Sequence, residues 1–236
     1  MTRRRWIADQ VSGNRAVLVG EHAAHLARVL RAQLGQEFDI AANGVVRRGR
    51  ILTVAETRVE FELGEEVEAA PLAQVTLALA IFKFDRMEWA IEKCTELCVT
   101  RIVPFEARRT DAHLAAAAVK RVERWRRIGR EAAEQARRAA PPEIADPVKL
   151  GDVLALRGEL RVVLSEAETA ISLRELCVCS GGSSLLLAIG PEGGWTNEEL
   201  QAFAEAGWKA ASLGPTILRA ETAAIAATAV VMAQSA

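Results

Sequence analysis

The chain has 236 residues, 50% of them apolar, enough to bury one large core or two modest ones. Its four cysteines, Cys94, Cys98, Cys177 and Cys179, fit no paired C-x-x-C zinc spacing, so they read as reduced, half-buried thiols and no bound metal is expected. No run approaches the roughly 18 apolar residues of a spanning helix. The start, MTRRRWIADQ, carries charge with no apolar stretch behind it, so a cytoplasmic chain with no signal peptide and no membrane partner is expected.

The net charge of −1 conceals an asymmetry. Residues 1–50 hold nine Lys/Arg against four acids and 51–70 one against six, while 71–140 hold fourteen against nine and 141–236 six against twelve. Basic sectors on a neutral chain suit either a nucleic-acid binder with a separate catalytic region or the solvated faces of helices.

In chain order, RAVLVG (15–20) reads as a strand, EHAAHLARVLRA (21–32) has helical apolar spacing, and QEFDIAANGVVRRGRILTV (36–54) is a hairpin turning at Asn43-Gly44. TRVEFEL (57–63) alternates as a further strand, and the acidic GEEVEAAP (64–71) reads as a linker. From residue 72 the pattern changes. Strands are expected at 75–82, 101–105, 161–167, 185–190 and 210–214, with helices at 87–98, 114–139, 172–177, 197–207 and 220–233 between and after them. Such alternation implies a parallel sheet covered on both faces. Met87, Ile91, Cys94 and Cys98 form one buried helical stripe, and Val122, Ile128, Ala132 and Ala136 another.

Three segments can carry chemistry. In LLLAIGPEGGWTNEEL (185–200) an apolar strand empties into Gly190-Pro-Glu-Gly193-Gly194, and Thr196 with Glu199 matches a capping box. Free backbone N–H groups at such a strand end hold ligands in α/β folds, although a tight turn with no ligand has the same spacing. Neither the Walker spacing nor G-x-G-x-x-G is present. In SLGPTILRAETAAIAATAVVMA (212–233) a Gly214-Pro215 turn precedes Arg219 and Glu221 at the start of a helix with seven alanines, where Arg219 is either a surface charge or a placed electrophile. The basic KRVERWRRIGREAAEQARRA (120–139) and HLARVLR (25–31), with Arg28 and Arg31 three apart on one helical face, suit phosphate contact or plain solvation. His22, His25 and His113 form no triad and receive no role.

Taken together, HLARVLRAQLGQEFDIAANG, KFDRMEWAIEKCTELCVTRIVPF, REAAEQARRAAPPEI, LLLAIGPEGGWTNEEL and LGPTILRAETAA resemble the small-subunit (16S) ribosomal RNA uracil-N3 methyltransferase family of the knotted SPOUT superfamily, over nearly the whole chain. The resemblance implies an α/β fold: a SPOUT-type parallel sheet with a C-terminal trefoil knot (71–236), preceded by a small PUA-like β-barrel domain that binds RNA (1–70). It implies a homodimer with S-adenosylmethionine in the knot, held by Leu164, Ile189, Gly190, Gly193, Gly194, Leu213, Gly214, Ile217 and Leu218, with the glycines giving clearance to the ligand. Arg219 would stabilise charge on the uracil, and Glu221 would orient Arg219 or cap the last helix. Glu192 would contact the cofactor or assist proton removal, and no general base is apparent. Arg28, Arg31, Arg86 and Arg138 would contact 16S ribosomal RNA in the assembled small subunit, the target being the family's usual uracil 1498. The alternatives are a SPOUT enzyme methylating a ribose 2′-hydroxyl, or a non-catalytic RNA-binding protein. Two positions depart from the family pattern: Cys98 replaces the glycine that usually caps a helix, and Arg137 replaces a glycine before Arg138, which would lengthen the helix or enlarge its basic face.

Overall fold

The computed structural model describes residues 5–67, 74–180 and 184–234, with backbone alone at 179 and 180. The chain forms two compact units, one of Met1–Pro71 with Ala133–Pro141 and one of Leu72–Ala132 with Pro142–Ala236.

The first unit holds β1 (Arg5–Ile7), β2 (Gln10–Ser12), β3 (Arg15–Val19), α1 (Gly20–Ala24), a π-helical turn (His25–Val29), β4 (Glu37–Ala42), β5 (Val45–Ala55) and β6 (Arg58–Glu66). Its curled sheet runs β1-β4-β5-β6-β3-β2, antiparallel except where β1 joins β4. The β4–β5 turn is the one read from Asn43-Gly44: both residues take positive φ, 53° and 80°, as a two-residue hairpin with right-handed strand twist requires. Leu18, Leu26, Ile40, Ile51, Val59 and Phe61 fill the core. Three-residue β1 and β2 are too short to show a period, and the sequence reading missed them.

Two sequence expectations fail here for backbone reasons. The helix expected over 21–32 ends early, because Leu30 N–H bonds to His25 O and Arg31 takes φ 48°. The helical turn has ended at Val29 and the backbone is left-handed at Arg31, so Arg28 and Arg31 do not share a helical face. The linker expected at 64–71 begins instead as strand, β6 running through Glu66, while residues 68–71 lie outside the described residues.

The second unit contributes β7 (Gln74–Ala80), α2 (Phe84–Glu96), β8 (Arg101–Glu106), α3 (Ala112–Ala118), a 3-10 turn (Val119–Arg121), α4 (Val122–Gln135, its last three residues in the first unit), β9 (Glu143–Ile144), β10 (Val148–Lys149) and α5 (Leu150–Leu154). It continues with β11 (Leu160–Leu164), α6 (Leu173–Ser180), β12 (Ser184–Ile189), α7 (Asn197–Glu205), β13 (Lys209–Ala211) and α8 (Ala220–Gln234). The sheet is parallel throughout, ordered β10-β8-β7-β12-β11-β13, with β9 also on β8. Buried apolar residues cover both faces: one core contains Leu77, Leu79, Ile91, Trp125, Leu187 and Ala224, the other Ala78, Phe105, Leu186, Trp195, Phe203 and Trp208. This is the covered parallel sheet that the alternating elements predict. The alanine-rich α8 packs on α2 and α6, where Thr228 Oγ1 lies 3.6 Å from Cys94 Sγ.

On α2, Met87, Ile91 and Cys94 are buried as read, joined by Ala90. Cys98 is not part of that stripe, since the helix has ended before it. In α4, fully buried Trp125 anchors the inner face that the sequence assigned to smaller residues. Burial pushes the Cys94 thiol up to about 12. Cys98 and Cys177 are half-buried, and the side chain of Cys179 lies outside the described residues.

Both departures from the family pattern sit at helix ends in the left-handed region. At the end of α2, Val99 N–H bonds to Cys94 O (3.0 Å), Cys98 N–H bonds to Thr95 O (2.9 Å), and Cys98 takes φ 69°. At the end of α4, Arg138 N–H bonds to Ala133 O (2.8 Å), Arg137 N–H bonds to Glu134 O (3.1 Å), and Arg137 takes φ 56°. Each is a Schellman closure with a side chain at the position glycine usually fills. Arg137 therefore terminates α4 rather than lengthening it. A non-glycine residue in this conformation costs about 1–2 kcal/mol, against about 0.5–1 kcal/mol of extra chain entropy lost by glycine. Cys98→Gly and Arg137→Gly are each expected to raise unfolding free energy by about 0.5–1 kcal/mol, measured by denaturant titration.

Candidate active site at the carboxyl edge of the parallel sheet

The carboxyl ends of β11, β12 and β13, at Leu164, Ile189 and Ala211, open onto one cavity of about 520 Å³, walled also by the starts of α2 and α8. Ligands of parallel α/β sheets bind at such edges, because loops and helix N-termini converge there. The cavity brings together all nine residues expected to hold a cofactor: Leu164, Ile189, Gly190, Gly193, Gly194, Leu213, Gly214, Ile217 and Leu218. Arg219, Glu221 and Glu192 line it as well.

The remaining expected residues divide. Arg86 lies in the cavity wall. Arg28 and Arg31 are exposed in the first unit, Arg28 paired with Glu56. Arg138 is also in the first unit but only 9% exposed, so it presents no open phosphate-contacting face.

The loop between β12 and α7 is built around Trp195. Its indole Nε1 donates to the Leu164 carbonyl at 2.7 Å, joining the loop after β12 to the end of β11. The ring stacks on Phe105 (13° between planes) and meets Phe203 edge-on, so both faces of the loop base rest on core aromatics. Downstream, the capping box forms as read: Glu199 N–H donates to Thr196 Oγ1 (3.2 Å), and Thr196 N–H donates to Glu199 Oε2 (2.9 Å). The other oxygen of Glu199, a residue 2% exposed, accepts Arg108 N–H at 2.8 Å. Arg109 closes the outer side, its Nη1 donating to Gly193 O at 2.6 Å.

The protein's own packing gives these glycines a reason. A Cβ at Gly190 would stand 2.9 Å from Trp195 Cε2, and one at Gly193 would stand 3.3 Å from the Arg109 stem. Gly194 takes φ 70°, and a Cβ there would stand 2.8 Å from Glu166 Oε1. The missing side chains at Gly190 and Gly193 make room for this protein's own Trp195 and Arg109, and the positive φ at Gly194 favours glycine there. Sequence spacing carries no signal for Lys83, Arg109, Glu166 or the Trp195 bond, because these partners come from distant segments.

The second wall is the entry to α8. Arg219 is exposed, its carbonyl accepts Ala223 N–H at 2.8 Å, and its side chain makes no ion pair among the described residues. Glu221 is 1% exposed, and its Oε1 accepts a hydrogen bond from Arg86 Nη1. Its Oε2 has no hydrogen-bond partner among the described residues. Glu221 therefore does not orient Arg219: its carboxylate is held by Arg86, a residue 135 positions away in sequence. Lys83, Arg86 and Arg219 supply positive charge to the cavity, and Glu166, Glu192 and Glu221 supply negative charge. Among the described residues, no group of three His, Cys, Asp or Glu side chains could hold a metal ion, and no helix is long and apolar enough to cross a membrane.

Comparison with known proteins defines the class first: residues 68–232 match the RNA methyltransferase domain family, so the chain is an RNA methyltransferase. Among relatives, the ribosomal RNA small subunit methyltransferase E of Bacillus subtilis is 31% identical over 87% of this chain and 85% of its own length. The Neisseria gonorrhoeae enzyme of the same name, solved with S-adenosyl methionine, superposes with a TM-score of 0.77 at 28% identity, covering 96% of this chain and 95% of that one. A Legionella pneumophila methyltransferase solved with bound SAM gives 0.81 at 30%, covering 98% and 97%. The chain belongs to the ribosomal RNA small subunit methyltransferase E family, and its cofactor is S-adenosylmethionine.

The cavity fits that cofactor. Its volume lies within the range of about 300–1,000 Å³ usual for small-molecule sites, and the glycine loop offers backbone groups beside apolar Leu164, Ile189, Leu213 and Leu218. Gly190→Ala is expected to push the Trp195 indole off the Leu164 carbonyl. It should cost about 1–3 kcal/mol of stability through overpacking and weaken S-adenosylhomocysteine binding about tenfold or more, an effect of order 1.4 kcal/mol. Calorimetric titration with a parallel melting curve checks both.

Proposed function

We propose that the enzyme methylates N3 of a uracil in 16S ribosomal RNA of the assembled small subunit, at the family's usual uracil 1498. The observation that carries this reading is Arg219, a cation without an ion pair among the described residues, at the mouth of a cavity formed by the two glycine-bearing loops. The acceptor N3 is an imide nitrogen that must lose a proton before it can attack, so negative charge develops on the base. A guanidinium beside the base would stabilise that charge, and more strongly once the entering substrate excludes water.

S-adenosylmethionine, when bound, supplies a methyl group already activated on a sulfonium. The protein's task is therefore to position two partners. Backbone groups of 190–194 and 213–218 hold the adenosine and methionine parts, Leu164 and Ile189 exclude water beneath them, and Glu192 stands at the rim to contact the cofactor. Arg219 faces the entering base. Since N3 lies on the edge used in base pairing, the target uracil enters unpaired or displaced.

The same reading assigns the first unit as a PUA-like RNA-binding domain. The exposed Arg28 and Arg31 would contact phosphates there and so add affinity without base selection. It makes the second unit a SPOUT domain with a trefoil knot. Support comes from the order of the sheet, where β12 lies between β7 and the earlier β11, and from α8 packing beneath the cavity loops against α2 and α6. A cytoplasmic homodimer completes the proposal.

The test is methyl transfer from labelled S-adenosylmethionine to small subunits lacking the modification, with the product nucleoside identified by mass. The expected product is 3-methyluridine. Arg219→Ala should lower kcat by about 10²–10³, the range seen when one charge-stabilising donor is removed, and leave S-adenosylhomocysteine affinity within about threefold, a change under 1 kcal/mol. A ribose-methylated product would overturn the N3 assignment. In the same assay, Arg28→Ala and Arg31→Ala should each raise KM for subunits and reduce the salt dependence of binding by about one phosphate contact.

A further inference from the structure

Arg86 enters the cavity from the first turn of α2, just after the chain leaves the carboxyl end of β7, with its side chain 33% exposed. Its Nη1 donates to Oε1 of Glu221, whose side chain is 2% exposed. Among the described residues, the Arg86 side chain makes no other hydrogen bond or ion pair. This is an unusual division of one guanidinium. One arm is fixed by a buried carboxylate that has no other partner among the described residues, and the rest of the fork is unengaged in a residue that lines the cavity.

The arrangement has a physical consequence. A guanidinium presents its donors in a rigid plane, so fixing one arm sets the direction of the others and little further entropy is lost when they are used. Arginine free to swing in solvent would lack that advantage. The surroundings also favour an anion: Lys83 lines the same cavity, and Arg86 and Glu221 each lie in the first turn of a helix, where unpaired N–H groups give a positive end. Glu221 offsets one charge, yet its burial keeps it from competing for an incoming ligand.

We propose that Arg86, clamped by Glu221, is the oxyanion receptor of the cavity, its free guanidinium edge taking a carboxylate or phosphate oxygen of a bound ligand. This rests on the cavity being the methyl-transfer site. Two groups there carry the required chemistry, the α-carboxylate of the cofactor and a phosphate beside the target nucleotide. Arg86 touches the ligand, while Glu221 is a positioning residue that acts through Arg86.

The experiment compares S-adenosylhomocysteine with 5′-methylthioadenosine, which keeps the adenosine and thioether but lacks the amino-acid carboxylate. Binding of both to the full chain is measured by calorimetry for wild type, Arg86→Ala, Arg86→Lys and Glu221→Gln, with melting curves alongside. Subunit KM is measured across a salt series. If the anion is the cofactor carboxylate, Arg86→Ala weakens S-adenosylhomocysteine about 10–100-fold, the range for losing a charge-assisted contact, and leaves 5′-methylthioadenosine within about twofold, close to no energetic change. If it is phosphate, both nucleosides bind unchanged, while subunit KM rises about tenfold and the salt slope falls by about one.

Glu221→Gln should shift the same ligand in the same direction by a smaller factor, since it loosens the clamp and leaves Arg86 in place. Arg86→Lys, which keeps the charge but loses the fork, should fall between wild type and Arg86→Ala; it carries the test if the alanine variant does not fold. Equal weakening of both nucleosides together with a lower melting temperature would mean that the pair is structural only, and the proposal fails. No change in any ligand also overturns it. Wild-type protein that bound neither nucleoside would bring down the cavity assignment itself, and this proposal with it, which separates the two failures.

Discussion

The bond from the Trp195 indole to the Leu164 carbonyl ties the loop after β12 to the end of the neighbouring strand β11, at the floor of the cavity. The floor of the cavity is built around it. Gly190 lies against the indole too closely for a side chain, so the strand end and the ring settle each other's position. The ring is in turn held by Phe105 and Phe203, and Phe203 meets Trp208 edge-on at 5.2 Å, carrying the support across one face of the sheet toward β13. A loop that exposes backbone groups to a ligand is thus backed by a close-packed aromatic layer.

Two buried glutamates show how the same side chain serves two ends. Glu199 is satisfied by two backbone N–H groups, from Thr196 and from Arg108, and so fastens the loop after β8 to the start of α7. Its charge faces a helix N-terminus, which favours it. Glu221, equally buried and also in a first helical turn, has instead, among the described residues, a single partner in Arg86 and one oxygen with none. A buried carboxylate without its cation is costly, so Arg86 and Glu221 stand or fall together. The first glutamate builds the loop, and the second governs a charged side chain in the cavity wall.

Much of this was open to reading from sequence. The hairpin at Asn43-Gly44, the capping box at Thr196–Glu199, and the alternation of strands with helices are local patterns, and each appears where the residues place it. The two signatures around residues 190 and 214 converge on one cavity because both follow strands of the same parallel sheet, whose carboxyl ends share an edge. The failures have a common origin as well. At Arg31, Cys98 and Arg137 the backbone takes positive φ with no glycine to announce it. Packing and cap hydrogen bonds outweigh a local preference of about 1–2 kcal/mol. Where glycines are present, at 190 and 193, their neighbours Trp195 and Arg109 leave little room for a side chain.

The sequence by itself determined the covered parallel sheet and the starts of the last two helices, at Asn197 and Ala220, because these follow from short-range periodicity and capping patterns. Tertiary structure alone decided which charges belong to the cavity. Arg86 meets Glu221 and Arg138 is buried because of contacts between segments far apart in the chain. His22 likewise stands between Asp9 and Glu134, a pairing no local pattern contains. Charge in a sequence has a sign but no direction; burial and a partner supply the direction, and both arise only when distant elements pack.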